Sequence, residues 1–408
     1  MSFLDFGVNF DFKLKGKHLD IAPVRLEKAL ELLNEKFGFQ NFLPGQKEVL
    51  SHVLDGEDCI AMLPTGAGKS LCYIIPALMH EGMTLVVSPL IALIRDQIQK
   101  LRANNIPAAA LDSLQGDEDK DYIWEKILAN EVKILFCSPE RLSNSFFREK
   151  LQRTQRISLV AVDEAHCISQ WGTHFRPEYS QLGIYLKDFA NVQKIALTAT
   201  ATKKVCEDIQ KTLHMVDAKI VQSTPIRENL NIKTIHSKTK ANHLALILQA
   251  VLNETGSGII YAPTRAKVEA VYTILQNAGV AVGKYHGGLL SEERHSANAN
   301  FFADRVRIMV ATNAFGLGID KPNIRFVFHA GMPGSIEQYM QEIGRAGRDG
   351  AAANCILFFV KSDYHIQKYI LEKSAPDPAN ADLEKLNSIY DYCTKGANSE
   401  DFIREYFR

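Results

Sequence analysis

The stretch Cys59-Ile60-Ala61-Met62-Leu63-Pro64-Thr65-Gly66-Ala67-Gly68-Lys69-Ser70 runs from an apolar segment into a glycine-containing turn, and a second apolar segment, Leu71–Met79, follows it. Strand, loop and helix in that order are the setting a phosphate-binding loop requires. Gly66 and Gly68 let backbone N–H groups wrap phosphate oxygens, and the helix behind them turns the positive end of its dipole the same way. Lys69 then neutralises β- and γ-phosphate charge and Ser70 ligates magnesium. The strict pattern begins with glycine where this chain has Leu63, so the match rests on Thr65-Gly66-Ala67-Gly68-Lys69-Ser70. A turn that merely joins strand to helix is the competing reading of this segment taken alone.

Further along, the apolar run Ser158-Leu159-Val160-Ala161-Val162 ends in Asp163-Glu164-Ala165-His166. Acidic residues at the C-terminal end of a strand face the crevice of an open α/β sheet. In that position Asp163 holds magnesium, Glu164 polarises an attacking water as general base, and His166 senses the γ-phosphate. The alternative is that the two carboxylates cap a following helix and His166 is an interior histidine.

Around these two elements, short apolar runs alternate with amphipathic segments: 59–62, 85–88, 134–137, 159–163 and 195–198, then 259–261, 308–311, 326–329 and 356–360. Such alternation predicts parallel βαβ units. The runs fall into two blocks, which predicts two sheets joined near residues 223–225. We expect an N-terminal extension over 1–26, a nucleotide-binding domain over 27–222, a second domain over 223–360 and a helical extension over 361–408. Leu26, Ala29, Leu30, Leu33 and Phe37 recur at three- and four-residue steps, predicting a helix over 24–37 that caps the first sheet.

The 408 residues carry 47 Lys+Arg against 47 Asp+Glu, so bulk charge announces no nucleic-acid partner and any such partner must be argued from motifs. The 7 cysteines form no C-x-x-C pair, which fits reduced thiols and predicts no zinc. No cationic start with an apolar core opens the chain, and no run approaches the ~20 apolar residues of a membrane span. A soluble, cytoplasmic protein with no membrane partner is expected, nucleoid-associated if the source is bacterial.

The phosphate loop with Asp163-Glu164-Ala165-His166 resembles the superfamily 2 helicases. Its continuation, Cys167-Ile168-Ser169-Gln170-Trp171-Gly172-Thr173-His174-Phe175-Arg176-Pro177-Glu178-Tyr179, resembles the RecQ helicases. That family's other blocks follow in order: Phe37-Gly38 with Phe42 and Gln46, Ser88-Pro89-Leu90, Ser138-Pro139-Glu140-Arg141-Leu142, Ala196-Leu197-Thr198-Ala199-Thr200-Ala201, and Tyr261 to Arg265. Tyr285-His286-Gly287-Gly288-Leu289, Ala311-Thr312-Asn313-Ala314-Phe315-Gly316-Leu317-Gly318-Ile319-Asp320 and Gln341-Glu342-Ile343-Gly344-Arg345-Ala346-Gly347-Arg348-Asp349-Gly350 complete the set. The resemblance spans residues 27–360.

What the resemblance implies is an α/β chain of two tandem RecA-like domains of the P-loop NTPase type, with parallel sheets and a short helical C-terminal extension. ATP and Mg2+ would occupy the cleft, and single-stranded DNA would cross both domains as the enzyme moves 3′ to 5′. Gln46 would hydrogen-bond adenine with Phe37 in support, and Thr65, Gly66, Ala67, Gly68, Lys69 and Ser70 would surround the phosphates, with Ser70 and Asp163 on magnesium. Gln341, Arg345 and Arg348 would join from the second domain. The two arginines, three apart on one helical face, would reach the γ-phosphate as an arginine finger, a surface salt-bridge pair being the alternative. Trp171, His174, Phe175 and Arg176 would contact DNA and couple it to hydrolysis, aromatic faces stacking on bases, although Trp171 and Phe175 also suit a core. Ser88, Pro89, Thr198, Thr200, Thr264, Arg265 and His286 complete the expected DNA-binding and coupling set. The implied partners are single-stranded and forked or tailed duplex DNA and a single-strand-binding protein, in repair, recombination and replication.

Two departures stand out. Phe42-Leu43 replaces the family's usual Phe-Arg, removing a cation near the nucleotide, and Cys393 stands alone where a four-cysteine zinc module and then a winged helix are usual. A DNA-stimulated ATPase, translocase or annealing factor that separates strands poorly is therefore one rival expectation. An RNA helicase is the second, and a non-catalytic ATP-dependent binding protein the third.

Overall fold

Runs too apolar to face water on either side build two parallel sheets in the computed structural model, which describes residues 21–89, 91–111, 115–154, 156–169, 177–199, 201–316, 321–374, 380–395 and 399–407. The first sheet contains β1 (Cys59–Met62), β2 (Met83–Val87), β3 (Ala108–Leu111), β4 (Ile134–Cys137), β5 (Ile157–Val162), β6 (Gln193–Thr198) and β7 (Lys219–Gln222), in the order β3-β4-β2-β5-β6-β1-β7. The second contains β8 (Leu230–His236), β9 (Ser257–Tyr261), β10 (Val282–Tyr285), β11 (Ile308–Ala311), β12 (Ile324–His329) and β13 (Ala353–Phe359), in the order β10-β11-β9-β12-β13-β8.

Both faces of the first sheet are covered by helices, which is why its central strands read as continuous apolar runs. Ile60 and Met62 enter one core while Cys59 and Ala61 enter the other, as the two-residue period of a strand demands. The register then sets the site. Met62 pairs with Thr198 and Val162 with Ala196, so the phosphate loop after β1, Asp163 after β5 and Thr198 on β6 share one edge.

The expected N-terminal helix runs Ile21–Phe37. It does not cap the sheet itself: Ala29 and Leu33 are buried in a cluster with Leu50, Leu54, Leu71 and Ile75, on the helices that cover the sheet. Arg25 fixes it there by donating from Nη1 to the Leu54 carbonyl at 2.8 Å, satisfying a carbonyl at the end of the helix Gln46–Leu54.

Helices Asp363–Ser374, Asn380–Lys395 and Ser399–Tyr406 follow the second sheet. They are part of its core, because Leu386, Ile389, Tyr392, Cys393, Ile403 and Phe407 pack with Tyr339, Cys355 and Leu357. The last helix also touches the first domain: Gln222 at the end of β7 donates from Nε2 to the Phe407 carbonyl at 2.6 Å. All seven cysteines are buried and free. No described helix is long and apolar enough to cross a membrane.

Candidate nucleotide site and interdomain cleft

The phosphate loop leaves β1 at Met62 and enters the helix Leu71–Met79 through Ser70, whose hydroxyl makes no capping hydrogen bond. Gly68 has φ +64, and a methyl group there would meet Gln46 Nε2 at 2.6 Å, so both the backbone and the space require glycine. Lys69 Nζ turns back to donate to the Leu63 carbonyl at 3.3 Å. Burial lowers the pKa of that ammonium, and the carboxylates of Glu164 and Asp163 oppose the shift.

Gln46 is buried beneath this loop. Its Nε2 donates to the carbonyls of Ala67 at 2.9 Å and Gly68 at 3.0 Å, and its Oε1 accepts from Leu43 N–H at 2.8 Å. Both amide protons are thus spent on the loop, and the side chain braces the phosphate loop in this arrangement. Phe37 is half-buried against the same two clusters that border the loop.

Asp163 and Glu164 stand at the end of β5. Burial, then the neighbouring Glu164 carboxylate, pushes the Asp163 pKa up to about 7, with Lys69 opposing. Glu164 adopts φ +48, a left-handed conformation in a non-glycine residue, and its Oε2 is buried with no hydrogen-bond partner. Its nearest polar neighbour is His166 Nδ1 at 3.3 Å, a contact without hydrogen-bond geometry, and a buried carboxylate oxygen left without a hydrogen bond suits a bound water. Tyr179 Oη holds the turn from behind by donating to the Asp163 carbonyl at 2.9 Å.

His166 links three elements. Its Nδ1 lies 3.1 Å from Thr198 Oγ1 and 3.3 Å from Glu164 Oε2, while its Nε2 lies 3.2 Å from Gln341 Nε2 of the second domain. The Gln341 amide donates, so Nε2 accepts and the ring proton sits on Nδ1, directed at Thr198, with the Glu164 carboxylate beside it. Burial lowers the His166 pKa and favours this neutral form.

The helix carrying Gln341 ends at Ile343, with Gly344 as its C-cap. Arg345 and Arg348 lie beyond it in a turn, so the expected shared helical face is absent. A methyl group on Gly66 would meet Arg348 Cγ at 3.3 Å, which puts Arg348 against the phosphate loop. Arg345 instead lines a cavity of the second domain with Tyr261, Gly316 and His329. Gly344 itself approaches so closely that a methyl group there would lie 2.6 Å from Thr65 Cβ.

Two groups in this cleft escaped the sequence reading. Arg227, between β7 and β8, donates to the carbonyls of Gly344, Ala346 and Gly347 at 3.0, 2.5 and 2.8 Å. Glu342, beside Gln341, accepts from Gln338 Nε2 at 2.9 Å and lies 2.7 Å from His329 Nε2, which fixes the helix that presents Gln341. A polar residue buried within an apolar strand was the available signal for His329; Arg227 sits in no periodic segment and offered none.

The expected DNA-side residues divide. Ser88 and Pro89 are buried at the end of β2, and Thr198 is fully buried on His166. Thr264 caps the helix Arg265–Asn277, accepting from Lys267 N–H at 3.2 Å, and Arg265 is exposed. His286 is buried: its Nδ1 accepts from Gly288 N–H at 3.1 Å and its Nε2 lies 3.0 Å from Glu269, so it shapes the turn at Gly287-Gly288. Trp171, His174, Phe175, Arg176 and Thr200 lie outside the described residues.

A phosphate loop and an acidic strand end on one parallel sheet, faced by an arginine-bearing turn on a second, define a two-domain P-loop core of the superfamily 2 helicase type. Residues 43–209 match the DEAD/DEAH box helicase family and residues 239–350 the helicase conserved C-terminal domain. The ATP-dependent DNA helicase RecQ of Bacillus subtilis is 41% identical over 388 residues, covering 94% of this chain and 65% of that protein. RecQ of Haemophilus influenzae is 41% identical over 382 residues, covering 93% of this chain and 61% of that protein. The probable ATP-dependent DNA helicase RecS of Bacillus subtilis is 41% identical over 350 residues, covering 85% of this chain and 70% of that protein. The chain belongs to the RecQ family of helicases, and it spans 61 to 65% of the length of these two RecQ proteins. Among solved structures, the helicase MrfA bound to DNA has a TM-score of 0.67 at 20% identity, over 90% of this chain and 56% of that one. Saccharomyces cerevisiae Dbp5 bound to RNA and ADP BeF3 has 0.64 at 20% identity, over 91% and 97%, and both likenesses concern the fold.

Proposed function

We propose that this chain is an ATP-dependent DNA helicase core that couples ATP hydrolysis in the cleft to 3′–5′ translocation on single-stranded DNA and to duplex unwinding. The observation that carries the reading is the bridge from Glu164 through His166 to Gln341, which makes the geometry around the candidate base depend on where the second domain stands. Lys69 and the loop N–H groups bind the β- and γ-phosphates, and Glu164 takes a proton from the attacking water. Arg348 stabilises charge on the transferring phosphoryl group from the second domain. Ser70 and Asp163 would hold magnesium, whose chemistry when bound is to neutralise charge on the phosphate oxygens. Gln46 and Phe37 flank the loop on the adenine side, with Gln46 exchanging its bonds to the loop for the base.

Thr264, Arg265, the turn after His286 and the segment of Trp171, His174, Phe175 and Arg176 form the DNA track, with Ser88, Pro89, Thr198 and Thr200 carrying its state toward His166. Forked or tailed duplexes and single-stranded DNA are the substrates, a single-strand-binding protein the partner, and repair, recombination and replication in the cytoplasm or nucleoid the setting. A DNA-stimulated translocase that unwinds poorly would use the same cleft residues and is the second reading. Unwinding of a 3′-tailed duplex, measured beside ATPase stimulated by single-stranded DNA or RNA, tests both. Unwinding with DNA-selective stimulation supports the helicase; stimulation without unwinding supports the translocase; stimulation by RNA alone overturns both.

A further inference from the structure

We propose that Arg227, in the segment joining the two sheets, is a positioning residue for Arg348, an inference that rests on the ATPase reading above. Its guanidinium spans two surfaces. On one side it binds the carbonyls of Gly344, Ala346 and Gly347, which end the helix Ile336–Ile343 and form the turn that carries Arg348. On the other, a methyl group on Gly66 of the phosphate loop would meet Arg227 Nη1 at 3.4 Å, beside Arg348 Cγ at 3.3 Å.

The chemistry explains why a guanidinium stands here. Carbonyls past the last helical turn have no helical partners, and a planar fork of N–H donors satisfies several at once where the helix dipole also favours a cation. Asn229, two residues on, reinforces the same turn by donating from Nδ2 to the carbonyls of Gly347 and Ala351, each at 2.8 Å. Because Arg227 is carried by the chain that leaves β7, the turn is held relative to the interdomain connection as well as to its own sheet. Arg348 therefore inherits its distance from Gly66 from Arg227. The hydrogen bonds of its guanidinium go to the backbone of the turn, which makes it a positioning rather than a catalytic residue.

The test uses the whole chain. Arg227→Ala should lower kcat of DNA-stimulated ATP hydrolysis by about 100-fold with KM changed less than about 3-fold, and Arg227→Lys, which keeps charge but loses the fork, by about 10-fold. Arg227→Ala combined with Arg348→Ala should be no slower than Arg348→Ala alone, because the first acts through the second. Amide hydrogen exchange at residues 344–348 without nucleotide should quicken in both Arg227 variants while the sheets keep their protection. Unchanged exchange, a kcat within about two-fold of the parent, or losses that multiply in the double variant would each overturn the proposal. A parent protein that does not turn over ATP would overturn the ATPase reading and this role in hydrolysis, while exchange would still decide whether Arg227 holds the turn.

Discussion

His166 Nε2 and Gln341 Nε2 stand 3.2 Å apart, although the two residues belong to different domains. Through Nδ1 the same imidazole reaches Thr198 and Glu164, so one ring connects the candidate base, the end of β6 and the second domain. Gln341→Ala removes the amide that faces Nε2 and frees the ring to reorient. We expect kcat for DNA-stimulated ATP hydrolysis to fall on the order of 10²-fold with KM nearly unchanged. A parallel loss in kcat/KM carried by KM would mean that Gln341 binds nucleotide instead of tuning the base.

Glu164→Gln keeps the size of the side chain and removes its basicity. Turnover should drop by about 10²- to 10⁴-fold while a fluorescent ATP analogue still binds, whereas Lys69→Ala should lose the analogue as well. Near-normal stimulated turnover in Glu164→Gln would reassign the base.

Gly344 has φ −60 and ψ −7, a backbone that alanine adopts without strain, so its main obstacle is Thr65 Cβ across the cleft at 2.6 Å, with the Met340 carbonyl at 3.0 Å the lesser one. Overpacking of this kind costs about 1–3 kcal/mol. Gly344→Ala should therefore leave each domain's melting temperature unchanged while lowering ATPase activity by about 10-fold, since every 1.4 kcal/mol is tenfold.

His243 lies on the helix Lys240–Asn253, fully buried, with Nδ1 3.1 Å from Ser237 Oγ, and burial lowers its pKa to about 4. A histidine depressed from 6.5 in the unfolded chain stabilises the fold fully above that value, and the contribution is lost as pH falls from 6.5 through about 4. Melting of the second domain should decline over that interval, and His243→Gln should flatten the decline. Parallel pH profiles for the two proteins would exclude His243 as the cause.

Every strand named by an apolar run in the sequence is present, and the four that no run announced are β3, β7, β8 and β10, the outermost strands of the two sheets. The reason is exposure. A strand covered on both faces must be apolar throughout, whereas Lys219, Ile220 and Gln222 of β7 and Asn231 and Lys233 of β8 face water and dilute the signal. Ala108-Ala109-Ala110 of β3 is buried but carries no β-branched residue to mark it. Lys69, Asp163, Glu164 and His166 were legible because their chemistry is tied to strand ends. The turn that carries Arg345 and Arg348 was not, because it depends on where the helix ends. Gln46 likewise bonds to the loop carbonyls 21 and 22 residues away, a pairing that no local pattern encodes.

The three helices after β13 seal the second sheet with Leu386, Ile389, Tyr392, Ile403 and Phe407. A boundary drawn where the motifs stop would therefore cut through a single apolar interior. Protein ended at residue 360 would expose Tyr339 and Leu357 to water and aggregate, and nicking between the helices would leave fragments that stay together until denatured. Tyr406 Oη, 2.8 Å from Glu337 Oε1, further ties the end of the chain to the helix that presents Gln341. Damage near residue 406 should thus be felt at the cleft as a loss of turnover before it is felt as a loss of fold.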